Sequence, residues 1–345
     1  MQGSCHGSDA RIRPLLSIQY LRAVAALTVV VYHALQWRTG GFDVGRAGVD
    51  VFFVISGVIM WTVTAGRAVS PIAFLWRRVT RVAPLYWLAS LAVAAIALAW
   101  PGFLPQVLAD WRHLALSLAF IPHLDPRGRP FPLLPPGWSL NYEAVFYLVF
   151  ALALAGPAHR RAWTVTVGLI AIVAAGFLAT VPIYILGANP MLLQFAAGLW
   201  LGVAHARRRL PSRPWGYGLI LLALAGFALV QRGGLFTELW RPLLWGLPAC
   251  LLVAGALTLE QAGGVREWPW IRRLGDASYA IYLLHLPAVA LVAHLVGPQR
   301  LWLFLPLAVA ASVIAGLAGR AIAEKPLLDL LRALPRPTRP GFKAI

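Results

Sequence analysis

Long apolar runs, broken by short turn-forming or basic clusters, dominate this chain from end to end. Crossing about 30 Å of hydrocarbon takes about 20 helical residues. Ten segments qualify, some of them short: 15–37, 44–64, 83–100, 138–156, 163–185, 191–206, 217–231, 243–260, 278–296 and 301–323. The apolar stretch 113–122 is too short to span and reads as an interfacial or re-entrant piece inside a long loop. The pattern therefore predicts an all-α polytopic membrane protein of about ten transmembrane helices. One membrane domain is expected over 15–328, with a cytoplasmic tail at 1–14 and a basic, Pro-rich tail at 329–345.

Composition sharpens this picture. Of 345 residues, 60% are hydrophobic and 12% charged, against about 45–50% and about 25% in soluble domains. An ordinary soluble enzyme and a disordered chain are excluded. The two cysteines, Cys5 and Cys250, give neither a disulfide framework nor a metal spacing. No two histidines lie at i, i+3 or i, i+4 within a span, so no metal is expected.

A formal net charge of +18 is also the mark of nucleic-acid-binding proteins, but here membrane topology explains it. With the N-terminus taken as cytoplasmic, 21 of the 30 Arg and Lys residues fall on that side and 8 on the other. Arg22 lies inside the first helix. This bias predicts that both termini are cytoplasmic. Because Arg22 interrupts the first apolar run and nine more spans follow, that run reads as an uncleaved helix rather than a signal peptide.

Ionisable groups inside hydrocarbon cost at least about 2.5–3.5 kcal/mol each and mark function or pairing. Arg22 and His33 share the first helix. Eleven steps of about 100° bring them to within roughly 20° of one stripe, with a rise of about 16 Å. Glu143 and Asp50 fall near the outer ends of the fourth and second spans, at the expected depth of His33. A carboxylate there could fix the tautomer of the imidazole. For Asp50 the helix dipole is a simpler explanation.

Arg77, Arg78 and Arg81 share a helical face if their segment is helical, and clustered guanidinium groups suit phosphates. The positive-inside rule alone would also place them there. Asp276 reads as the N-cap of the ninth span. Tyr279, Tyr282 and His285 follow it at intervals of three, drifting slowly round one face.

Together these blocks resemble the acyltransferase-3 family of membrane O-acyltransferases, from about Ile18 to about Leu328. The resemblance is carried in order by Arg22 to His33 and by Gly48-Val49-Asp50 running to Ser56-Gly57. It continues through Arg77-Arg78-Val79-Thr80-Arg81 with Pro84-Leu85-Tyr86-Trp87, then Trp138-Ser139-Leu140-Asn141-Tyr142-Glu143, and Leu274 to His285. The wording of the blocks is closest to the branch that acetylates exopolysaccharides such as succinoglycan. The extra hydrolase-like domain of some longer members is not expected here.

The resemblance implies transfer of an acyl group, usually acetyl from acetyl-CoA, to a sugar hydroxyl of a surface or lipid-linked polysaccharide. It implies that His33 is catalytic and Arg22 needed, and Glu143 is expected to assist them. Donor phosphates are expected at Arg77, Arg78 and Arg81. Substrate contacts are expected from Asp50, Ser56, Trp138, Tyr279, Tyr282 and His285. His33 could act as general base or as an acylated nucleophile.

The competing readings are a transporter or flippase using Arg22, His33 and Glu143 as a pathway, and a non-catalytic scaffold. No internal symmetry of the transporter kind is visible. The Ala- and Arg-rich composition points to a bacterial inner membrane. The pattern specifies no oligomeric state.

Overall fold

Proline sets the start of several helices here, because its missing N–H costs nothing in a first turn. In the computed structural model, which describes residues 15–38, 41–179, 189–234 and 239–333, Pro71 and Pro269 open two of the longest. The helices are α1 (Leu16–Gln36), α2 (Ala47–Thr64), α3 (Pro71–Ala99), α4 (Trp111–Leu118), α5 (Trp138–Leu154) and α6 (Arg161–Leu178). There follow α7 (Leu192–Ala206), α8 (Arg213–Gly233), α9 (Leu247–Gln261), α10 (Pro269–Val296), α11 (Leu301–Gly319) and α12 (Lys325–Ala333). The tail 1–14 and residues 334–345 lie outside the described residues.

Among the described residues, nine helical runs are long and apolar enough to cross a membrane. The chain is thus a multi-pass, all-helical membrane protein. The tenth expected span is α7, whose 15 residues reach only about 22 Å. Two helices start well before the expected points. α3 takes in the whole Arg77–Arg81 segment, and α10 begins at Pro269, so Asp276 lies inside a helix and caps nothing.

Lipid is as apolar as leucine, so helix association in a bilayer depends on close packing at small residues. Gly57 and Gly198 do this between α2 and α7. A side chain on Gly198 would run into the Val54 backbone, and one on Gly57 into the Phe195 carbonyl. Beside this contact, Phe53, Phe195 and Phe146 stack in series, with ring centroids 4.4 and 4.5 Å apart. Gly275 brings α10 against Gln19 of α1, and Gly316 brings α11 against Ile281.

The long loop between α3 and α5 folds back into the bundle. Its short helix α4 is capped by the Asp110 side chain, which accepts from the His113 amide at 2.8 Å. The Tyr86 hydroxyl donates to the Ser117 carbonyl, and the Leu133 amide to Ser117 Oγ at 2.8 Å. Leu133, Leu134, Pro136 and Gly137 are consequently buried, and α5 begins inside the protein rather than at its surface.

Because α2 and α7 touch backbone to backbone, Gly198→Val should overpack the contact, a class of change that costs about 1–3 kcal/mol or more. The expected outcome is a lower melting temperature in detergent and loss of the monodisperse peak. Unchanged melting would contradict the close approach.

Candidate active site

Two neighbouring cavities lie within the bundle. The first, of about 920 Å³, is lined by Arg22, Ser56, Arg78, Arg81, Glu143, Tyr147 and Tyr279, among others. The second, of about 1470 Å³, is lined by His33, Arg46, His123, Trp138, Asn141, Tyr142 and Arg241, among others. Val49 and Tyr282 belong to the walls of both. A further recess of about 1160 Å³ shares His33, Phe131 and Trp138 with the second. Helix α1 therefore presents Arg22 to one cavity and His33 to the other, about 16 Å apart along one stripe.

At the arginine end, Arg78 and Arg81 turn inward from adjacent turns of α3. Arg81 is paired with Glu324, from the π-helical turn that follows α11. Arg320 donates to the same carboxylate at 3.5 Å. Arg78 lies over the Phe74 ring at 5.7 Å, and its buried Nε has no partner among the described residues. Arg77 departs from the expectation. It is exposed, its Nε donates to the Ala73 carbonyl at 3.1 Å, and it does not line the cavity. One residue on from Arg77 is 100° round the helix, and Arg78 holds the inward direction.

Glu143 also departs from the expected depth. Ser56 donates to its Oε1 at 3.0 Å and the Tyr147 hydroxyl donates to the same oxygen. Glu143 therefore lines the first cavity together with Arg22, and it is not in the walls of the recesses that hold His33. The reason is the sunken start of α5. The Tyr282 hydroxyl, mid-way along α10, donates to the Pro136 carbonyl at 2.9 Å, so the helix begins at Tyr282 level and Glu143 lies more than a turn deeper.

Asp50 is likewise deeper than expected, because the short turn Asp43–Arg46 already packs against Thr28 and Tyr32. It lines neither cavity. It is fully buried, accepting from Arg241 Nη2 at 3.0 Å and from Gln194 Nε2 at 2.6 Å. Arg241 in turn lies 5.4 Å from the Trp138 ring centroid. Sequence reasoning assigned Arg241 to an outer loop, and only its pairing with a carboxylate far along the chain reveals it as a wall of the His33 cavity.

His33 sits edge-on to Tyr32 and 5.0 Å, centroid to centroid, from His285. Tyr279, whose hydroxyl donates to the Val82 carbonyl at 2.6 Å, lines the first cavity, and Tyr282 lines both. The run Tyr279, Tyr282, His285 thus leads from the arginine cavity to His33. In the loop above, His113 Nδ1 and His123 Nε2 are 2.7 Å apart. Burial and the neighbouring His123 hold His113 below the ordinary imidazole range. Among the described residues, no three His, Cys, Asp or Glu side chains converge as metal ligands.

The family profile described as "Acyltransferase domain" matches residues 15–320. The "Exopolysaccharide production protein ExoZ" of Rhizobium meliloti (strain 1021) is 38% identical over 314 residues, covering 88% of this chain and 96% of that protein. The "Peptidoglycan O-acetyltransferase OatA" of Listeria monocytogenes is 26% identical over 357 residues, covering 90% of this chain. The chain spans about half the length of that protein, 55%. No solved structure matches the chain.

Removing one partner of a buried ion pair strands the other, at a typical cost of about 3–5 kcal/mol. Asp50→Asn and Arg241→Gln should each lower the melting temperature in detergent, while the double substitution should be less damaging than their sum. Strict additivity in that cycle would contradict the pairing.

Proposed function

The chain belongs to the acyltransferase-3 family of membrane acyltransferases, and on that premise we propose that it transfers an acetyl group from acetyl-CoA to a hydroxyl of a surface or lipid-linked polysaccharide. The observation that carries this reading is a pair of neighbouring cavities with Val49 and Tyr282 in the walls of both, one lined by arginines and the other holding His33. Neither a proton pathway nor a scaffold needs a phosphate-sized cluster of guanidinium groups at one end of a shared wall and an imidazole at the other. The polysaccharide acceptor is supported by the names of the relatives and by Trp138, a flat face on which a sugar ring can stack.

In this reading the arginine end is cytoplasmic, in accord with the charge bias, and the membrane is the bacterial inner membrane. Arg78 and Arg81 hold the donor's phosphates by charge-assisted hydrogen bonds. Arg22 and Ser56 line the path of the pantetheine arm, which covers the roughly 16 Å between Arg22 and His33 along α1. Tyr279 flanks that path. Glu143 balances the guanidinium charge when the cavity is empty. Asp50 does not contact substrate; it fixes Arg241, which with Trp138 borders the acceptor.

His33 acts as general base. The acceptor hydroxyl oxygen attacks the thioester carbonyl carbon while His33 takes the hydroxyl proton. The carbon–sulfur bond then breaks, the ester carbon–oxygen bond is formed, and the proton passes from the imidazolium to the thiolate. An acyl-histidine route would instead leave acetyl on the protein when no acceptor is present.

Labelled acetyl transfer to glycan in membrane vesicles tests the reading. His33→Ala should lower transfer by about 100-fold or more, the usual worth of a general base, with acetyl-CoA binding kept. Arg78→Gln with Arg81→Gln should instead raise KM for acetyl-CoA. No acetyl should stay on the protein without acceptor. Equal transfer by wild type and His33→Ala would overturn the assignment.

A further inference from the structure

A general-base histidine needs one nitrogen free and its other nitrogen held as N–H, and the usual holder is a carboxylate. The two carboxylates nearest in sequence expectation are committed elsewhere. Glu143 accepts from Ser56 and Tyr147, and Asp50 from Arg241 and Gln194. The group that does face His33 is His285, with its ring centroid 5.0 Å away and its plane tilted by 38°. The two rings are not hydrogen-bonded in this structure, but at that separation a turn of the His33 ring would bring two ring nitrogens to the roughly 3 Å of a hydrogen bond.

The hydrogen bonding of His285 determines what it offers. Its Nδ1 lies 2.6 Å from the Tyr282 carbonyl oxygen. A carbonyl only accepts, so Nδ1 carries the hydrogen and the neutral ring has its lone pair on Nε2. That Nε2 is buried and has no partner among the described residues. The residue as a whole is fully buried. An unanswered acceptor in a bundle interior is rare and calls for an explanation. Tyr282 is itself pinned, through its hydroxyl, to Ser139 and the Pro136 carbonyl, which holds this part of α10 against the start of α5.

We propose that His285 is a positioning residue: its Nε2, which makes no hydrogen bond in this structure, accepts the N–H of His33 once the His33 ring turns toward it, so that the opposite nitrogen of His33 is the one presented to the acceptor hydroxyl. The chain of orientation runs from the Tyr282 carbonyl to the His285 Nδ1–H, and from His285 Nε2 to His33. No proton leaves His285 in this role. It does what the buried carboxylate of a hydrolase triad does, with a neutral imidazole in place of the acid. Arg46 borders the same recess, and a neutral partner avoids drawing that cation onto the base. The inference rests on the assignment of His33 as general base.

The test uses the full chain in lipid bilayers, labelled with ¹⁵N-histidine, with His33 assigned by the resonance lost in His33→Ala. Wild type should show His33 as one tautomer. His285→Ala should show a mixture of the two. His285→Gln, whose side-chain oxygen can stand where Nε2 stood, should restore the single form. In the acetyl-transfer assay His285→Ala should lose about 100-fold or more in kcat, with both KM values kept within about twofold, since a wrongly held tautomer costs about 10⁴ in a hydrolase triad. His285→Gln should recover to within about tenfold of wild type, at equal melting temperature.

A single unchanged tautomer in His285→Ala would overturn the proposal, and so would a loss confined to KM. A wild-type chain that labels no glycan would overturn the functional reading instead, and the nitrogen spectra would then decide the histidine pair by themselves.

Discussion

Hydrocarbon offers no partner to a charge or to an unmet hydrogen-bonding group, so every ionisable side chain in this bundle has to be answered by the protein itself. That constraint fixes the placement of the interior. Asp50 is met by Arg241 and Gln194, three groups drawn from α2, the start of α9's segment and α7. Arg81, Arg320 and Glu324 answer one another where α3 meets the end of α11. Glu143 is met by Ser56 and Tyr147. The rule is not complete: Arg78 Nε, Arg161 Nε, His205 Nδ1, Glu324 Oε2 and His285 Nε2 are all buried without a partner among the described residues, and of these Arg78 borders the arginine cavity and His285 faces His33.

The wall shared by the two cavities gives the fold its chemical use. Helix α1 carries a guanidinium at one end of a stripe and an imidazole at the other, and α10 runs alongside it with Tyr279, Tyr282 and His285. Tyr282 is in the walls of both cavities, and in the proposed function a donor thioester and an acceptor hydroxyl entering from opposite sides meet beside it. A charged donor then need not cross the membrane. The sunken start of α5 matters to this arrangement, because it puts Trp138 beside the His33 cavity and Glu143 in the arginine cavity although only five positions separate them.

Much of this was legible in the sequence, for physical reasons. Spans are long and apolar because the bilayer is thick, and the stripe shared by Arg22 and His33 follows from helix geometry alone. The short apolar segment 191–206 was legible almost to its ends as α7 (Leu192–Ala206), whereas the starts of α3 and α10 were misjudged. Depth was the main failure. Glu143 and Asp50 were placed by counting from expected helix ends, and both helices begin inside the protein, where a folded loop or a short turn replaces the membrane surface. Arg241 was read as a loop charge because nothing local announces a partner almost two hundred residues away. Arg77 was grouped with Arg78 and Arg81 because charge clusters hide which member turns inward.

The most direct test is sidedness. Purified protein would be reconstituted into sealed vesicles of known orientation, with labelled acetyl-CoA confined to the arginine side and acceptor glycan to the His33 side. The account predicts acetylated glycan on the His33 side while intact acetyl-CoA stays where it was placed, and no transfer when the two are exchanged. Transfer only with donor and acceptor on the same side would contradict it.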